Sequence, residues 1–202
     1  MIKLSPETPE EGWEVETLYD LCFAPGREGL SSYRLRDGVA PVAGLSLVAR
    51  DEFGELAGAI RYWPVQIGAG AGTGTGGQAR DQARGQARGQ AGDQDGDQAG
   101  DQDGGAAGGR RRALLLGPVA VHPTRQGEGV GGLLIRQSLS KAAESGWARV
   151  MLVGDAPYYA RFGFTPLAGV EMPPPTNPAR VLGYELEAGA WQGIGGKVHK
   201  DA

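Results

Sequence analysis

The chain has 202 residues, with 20 Lys and Arg against 24 Asp and Glu, a net charge of −4. A mild acidic surplus argues against a dedicated nucleic-acid binder and against a polybasic membrane-surface protein. The single cysteine, Cys22, excludes an intrachain disulfide and a cysteine-based zinc site.

In chain order, the start Met1-Ile2-Lys3-Leu4 has no apolar stretch behind its lysine, unlike a secretory signal. No apolar run approaches the ~20 residues that span a bilayer. A cytoplasmic protein without a membrane partner is expected. Glu11 to Phe23 reads as a helix, with Val15, Leu18, Leu21 and Cys22 on or near one face and Pro25-Gly26 ending the run. A second short helix is predicted over Glu28 to Arg36. Leu45 to Ala49 and Leu56 to Ile67 read as strands around a turn at Asp51 to Glu55, an antiparallel hairpin.

From Gly68 to Arg112 there is no Val, Ile, Leu, Met or aromatic residue, and Gln78 to Gln102 recur every fourth position. Such a segment buries nothing that offsets its ordering entropy, and glycine costs about 1 kcal/mol per helical position. The expectation is a disordered Gly/Gln-rich insert at 68–112, inside one domain covering 1–202. A partner-binding arm is the functional alternative for it. The insert sits between two strand candidates, where a hairpin turn tolerates extra length.

Ala113 to Val121 then reads as a central strand. Gly117-Pro118 interrupts it, because proline cannot donate a ladder hydrogen bond, and a bulge or local separation of strands is predicted. Val130 to Ser145 is an amphipathic helix stopped by Gly146. Ala148 to Val153 is a buried strand, Pro157 to Phe162 a short helix, and Val181 to Leu186 a closing strand, with Pro173-Pro174-Pro175 as a connector. The order is mixed α/β.

The chemistry concentrates in Val119-Ala120-Val121-His122-Pro123-Thr124-Arg125-Gln126-Gly127-Glu128-Gly129-Val130-Gly131-Gly132. A strand runs through a glycine turn into a helix. The first N–H groups of a helix lack intrahelical partners, the dipole adds positive potential there, and glycines allow close approach of a phosphate. Gly127, Gly129 and Gly132 also fit G-x-G-x-x-G. A Rossmann site would open a βαβ unit, however, and here a hairpin precedes it.

Gln126-x-x-Gly129-x-Gly131 resembles the acetyl-CoA signature of GNAT N-acetyltransferases. Gly154-Asp155-Ala156-Pro157-Tyr158-Tyr159-Ala160-Arg161-Phe162-Gly163-Phe164 is similar to that family's fifth-strand exit, in the form seen in a bacterial subgroup of predicted acetyltransferases. The resemblance covers Ala113 to Leu167. It implies an α/β, GNAT-like fold: a mixed, mostly antiparallel central sheet with splayed middle strands, flanked by helices. It implies an enzyme that moves an acetyl group from acetyl-CoA to an amine on a small molecule, peptide or protein, by direct attack and without metal. A non-catalytic acyl-CoA-binding regulatory module is the alternative. By the resemblance, Val119, Ala120 and Val121 pair with the pantetheine arm. Gln126, Gly127, Glu128, Gly129 and Gly131 surround the pyrophosphate through their main chain, the Glu128 side chain pointing to solvent. Tyr159, four residues before Gly163, matches the general acid that protonates the departing thiolate. No base is evident: His122 is a candidate, Glu52 and Glu55 are solvated turn residues, and ordered water serves equally. Cys22, on an apolar helix face, is a poor candidate nucleophile.

Overall fold

The computed structural model describes residues 1–23, 26–68 and 109–201. One nine-stranded sheet runs through it. Strand β1 (Lys3–Pro6) lies at one edge and pairs with β2 (Leu47–Arg50). Next come β3 (Leu56–Gly68) and β4 (Arg111–Val121), all these neighbours antiparallel. Strand β5 (Arg149–Val153) joins β4 in parallel. Two-residue strands β6 (Thr165–Pro166) and β7 (Val170–Glu171) follow in sequence, then β8 (Val181–Glu185) and β9 (Gly196–Lys200). The spatial order is β1-β2-β3-β4-β5-β8-β6, with β9 pairing both β3 and β7. The expected mixed, mostly antiparallel sheet is therefore present; β4, α3 and β5 form a parallel crossover, but the antiparallel β3 beside β4 departs from the parallel sheet of a Rossmann fold.

Helix α1 (Gly12–Cys22) covers one face and α3 (Val130–Glu144) the other; α2 (Ser31–Arg34) and α4 (Ala156–Ala160) are single turns. Strand alternation assigns the faces. Leu47, Ala49, Tyr62, Leu114 and Leu116 pack with Leu134, Ile135 and Leu139 of α3, whereas Val48, Ala59 and Ala120 pack with Val15, Leu18 and Tyr19 of α1. Because both faces are covered, β3 reads as an almost unbroken apolar run rather than an alternating one. Each fully buried Leu or Ile in this core contributes roughly 1.5–3 kcal/mol. Helix α3 stops where predicted. Gly146 adopts φ 76°, its N–H bonds to Ala143 and that of Trp147 to Ala142, the paired closure of a glycine-terminated helix.

Several boundaries move. Helix α1 ends at Cys22 because Phe23 is already extended. The helix expected over Glu28 to Arg36 is two pieces, a 3-10 turn at Arg27–Gly29 and then α2. The insert expected at 68–112 is shorter at both ends, because Gly68 belongs to β3 and Arg111 and Arg112 to β4, with Ile67 opposite Arg111. The rest of that expectation, 69–108, lies outside the described residues.

The interruption at Gly117-Pro118 is a bulge: Ile60 faces Val119 and Tyr62 faces Leu116, so two residues of β4 oppose Arg61 alone. A Cβ on Gly117 would meet the Trp63 ring at 2.2 Å, so the bulge closes only around glycine. Strand β4 pairs with β5 only at Leu114 and Leu115, before the bulge. Beyond it the two strands part, and the sheet opens in its middle.

Candidate functional site

The opening leaves one edge of β4 free. The N–H of His122 donates to Ala57 on β3 at 2.9 Å. Alternation therefore turns the main chain of Ala120 toward β3 and that of Val119 and Val121 toward the gap. Val119 and Val121 line a cleft of about 610 Å³, together with Gln126, Gly127, Gly129, Gly131 and Tyr159. Ala120 is buried against α1 and does not line it. Glu128 is exposed, stays off the lining and approaches Arg125 at 3.7 Å.

The glycine turn opens the end of α3. Gly127 and Gly129 hold φ of 88° and 82°, which side chains rarely tolerate. Among the described residues none accepts a hydrogen bond from the N–H groups of Gly127, Gly129, Val130, Gly131 or Gly132. The N–H of Leu133 is answered by Gly129 at 3.0 Å. Five unanswered donors at the positive end of a four-turn helix make a receptacle for anionic oxygens. At Gly131 a Cβ would stand 3.2 Å from the Tyr158 hydroxyl, so α4 crowds against this end of α3. The side chain of Gln126 turns back to donate to the Val121 carbonyl at 3.3 Å.

The hairpin turn before β3 braces this loop. Asp51 accepts from the N–H groups of Phe53 and Glu55 at 2.9 and 3.0 Å and forms an ion pair with Arg125. Desolvation pushes the Asp51 carboxyl up, but those two donors and the guanidinium outweigh it and hold it below the usual range. Arg125 thus fixes the entry to the glycine turn while itself lining the cleft.

Tyr159 sits on α4, whose start is capped by Asp155 accepting from the Tyr158 N–H at 3.2 Å. The ring packs edge-on to Tyr158 and Phe164, with centroids 5.0 and 5.7 Å away. A Cβ on Gly154 would meet that ring at 2.3 Å. Burial, and then the neighbouring Tyr158, push the phenol up to about 12 against a smaller opposite pull from Arg180. It is a proton donor across neutral pH.

A second, smaller cleft lies on the side of α1 and α2, lined by Phe23, Arg27, Tyr33, Arg36, Gly117 and Pro118. Val119 and Tyr159 line both clefts. These two residues stand where the gap in the sheet joins them. His122 faces elsewhere. Its Nδ1 is 2.7 Å from Thr124 Oγ1, and it lines a separate depression with Glu14 and Leu18. Cys22 donates to the Val121 carbonyl at 3.3 Å, and burial pushes its thiol up, away from nucleophilic use. Among the described residues no group of three or more His, Cys, Asp or Glu is arranged to hold a metal ion. No helix among them is long and apolar enough to cross a membrane.

Sequence reasoning missed much of the lining. Arg136, Tyr158, Arg161 and Phe162 complete the cleft. Arg161 lies over Tyr158 at 4.3 Å, and Arg136 lies 5.7 Å from the Phe162 centroid. The available signal was spacing: Arg136 is one turn beyond Gly132 on the same face of α3, and Arg161 is three beyond Tyr158.

Known proteins are similar to this chain. A family model described as an acetyltransferase (GNAT) domain matches residues 91–166. An uncharacterized N-acetyltransferase of Escherichia coli K12, YjhQ, is 47% identical over 55 residues, which is 27% of this chain and 30% of that protein's length. The structure of a GNAT family N-acetyltransferase, YhbS, from Escherichia coli in complex with CoA aligns with a TM-score of 0.68 at 22% identity, over 98% of this chain and 89% of that one. A GNAT family acetyltransferase from Brucella melitensis in complex with acetyl-CoA aligns at 0.61 and 25% identity, over 100% and 97%.

Proposed function

The chain belongs to the GNAT N-acetyltransferase family, and from that premise we propose that it moves the acetyl group of acetyl-CoA to an amine by direct attack. The observation that carries this reading is the sharing of Val119 and Tyr159 between two clefts on either side of an opened sheet. The larger suits the coenzyme. The open amides from Gly127 to Gly132 complement a pyrophosphate, Arg136 and Arg161 add positive charge, and the free edge of β4 at Val119 suits an extended pantetheine arm. The smaller cleft receives the acceptor.

In the transfer step the neutral amine nitrogen forms a bond to the acetyl carbon as the carbon–sulfur bond breaks. The sulfur leaves with the electron pair and takes the phenolic proton of Tyr159. The new ammonium centre releases its extra proton to water, and water returns one proton to the Tyr159 phenolate, which restores the enzyme. With the Nδ1 of His122 held to Thr124 and its ring in another depression, we assign no side chain as base. Calorimetry with acetyl-CoA, followed by an amine panel read by free-thiol release, tests the reading. Binding with thiol release on at least one amine is expected. Absence of any heat with acetyl-CoA overturns it, and binding without turnover favours the non-catalytic acyl-CoA module.

A further inference from the structure

The acceptor cleft has a cation whose charge is not answered. It joins a larger cavity of about 820 Å³ through a shared wall of Arg27, Tyr33, Arg36 and Pro118. Arg27 in that wall bonds to Glu16 and Asp20 at 2.7 and 2.8 Å. Arg61, farther along the cavity, is paired with Glu7 and Glu16. Lys200 at its rim meets Asp37 at 3.2 Å. Among the described residues Arg36 has no such partner.

The Arg36 guanidinium lies between two rings, 4.5 Å from the Tyr33 centroid and 4.6 Å from that of Trp63. Both rings are fixed by their polar ends. Trp63 Nε1 donates to the Val39 carbonyl at 3.1 Å, and the Tyr33 hydroxyl accepts from Arg27 at 2.5 Å. No described carboxylate pairs with the Arg36 guanidinium, and its Nε and Nη1 are sealed from solvent without a partner. Burial pulls this guanidinium down to about 10, yet it stays charged at neutral pH. A buried cation without an anion is unfavourable, and aromatic faces compensate only part of the lost hydration. The surroundings offer little relief. The cavity carries five cationic side chains against three carboxylates, in a chain whose net charge is −4. Of those carboxylates, Glu16 and Asp37 are already paired, and Glu28 is exposed.

We propose that Arg36 binds a carboxylate of the acceptor, so that the substrate is an amine that also bears a carboxylate, as in a free amino acid. The inference rests on the transferase reading above, with the Tyr159 cleft as the acceptor side. A planar guanidinium held between two rings is preorganised for a planar carboxylate, and Arg36 lines the cleft that Tyr159 also lines.

Initial rates of thiol release, at saturating acetyl-CoA, should be measured for each of the twenty amino acids against its α-amide. The proteins compared are the full chain and its Arg36→Gln and Arg36→Lys variants. We expect at least one acid to exceed its amide in kcat/KM by about 10- to 100-fold, the scale of a charge-assisted hydrogen bond. Arg36→Gln should erase that preference through KM, and Arg36→Lys should restore part of it. Acid and amide used equally, only amides used, or an acid preference that survives in Arg36→Gln would each overturn the proposal. So would a protein that binds acetyl-CoA, verified by calorimetry, and acetylates no acid. The acid-to-amide ratio of the unaltered chain decides the matter even where a variant fails to fold. A chain that does not bind acetyl-CoA at all instead strikes at the transferase reading itself.

Discussion

The two clefts that meet at Val119 and Tyr159 are built from different materials. The coenzyme-side cleft presents main-chain donors among its side chains: glycines in left-handed conformations, open amides at the start of α3, and the edge of β4 that β5 leaves unpaired at Val119. The other side is mostly long side chains held by one another: Arg27, Tyr33, Arg36 and Trp63. Under the proposed reading, the main-chain donors would hold the coenzyme and the side chains around Arg36 the acceptor, so that a change in one wall would leave the other in place.

The largest effect should come from the residue at the junction. Tyr159→Phe is expected to lower kcat by about 10²- to 10⁴-fold while leaving the affinity for acetyl-CoA unchanged. A parallel loss of binding, by calorimetry, would show that the two clefts are not separable at this residue.

The side-chain cavity should be the more sensitive to charge removal. Arg61→Met removes the buried guanidinium that answers Glu7, whose side chain is 9% exposed. A cost of about 3–5 kcal/mol is expected in urea-induced unfolding. A smaller effect, near that of an exposed pair, would mean that Glu7 escapes to solvent. On the main-chain side, Gly129→Asp combines a left-handed backbone with a carboxylate at the anion receptacle. Acetyl-CoA should bind about 10- to 100-fold more weakly, with the melting curve little changed.

The pH profile separates the clefts less strongly. Since burial drives Tyr159 up to about 12, the acid stays protonated through the range in which an ordinary phenol ionises. The profile of kcat/KM should rise as the amine deprotonates and show no descending limb near pH 10. A descending limb there would show that the donor ionises as an ordinary phenol, against the rise that burial imposes on Tyr159. The smallest effect is expected from excising 69–108 behind a two-glycine link. Ile67 and Arg111 already pair across that junction, so acetyl-CoA binding should persist.

This contrast also explains what could be read from the chain alone. A glycine turn between an apolar strand and an amphipathic helix is a local pattern, so the sequence alone places the start of α3 at Val130, where Gly129 and Gly131 line the cleft. The bulge at Gly117-Pro118 was likewise written in two adjacent letters. The Arg36 sandwich was not. It joins α2 to Trp63 on β3, and nothing near Arg36 in sequence records that approach. Strand β1 escaped notice because Lys3–Pro6 buries no residue, and β9 because Val198 alone is buried there. His122 looked eligible as a base until a contact two residues away, with Thr124, turned its ring aside.

The bulge in β4 has a kinetic corollary. A sheet parted at its centre can be approached from the α3 side and from the α1 side at the same time, so neither reactant needs to leave before the other arrives. Double-reciprocal plots at several fixed acetyl-CoA concentrations should therefore converge to a common point rather than run parallel. The geometry of one glycine–proline pair would then be visible in the slope of an initial-rate plot.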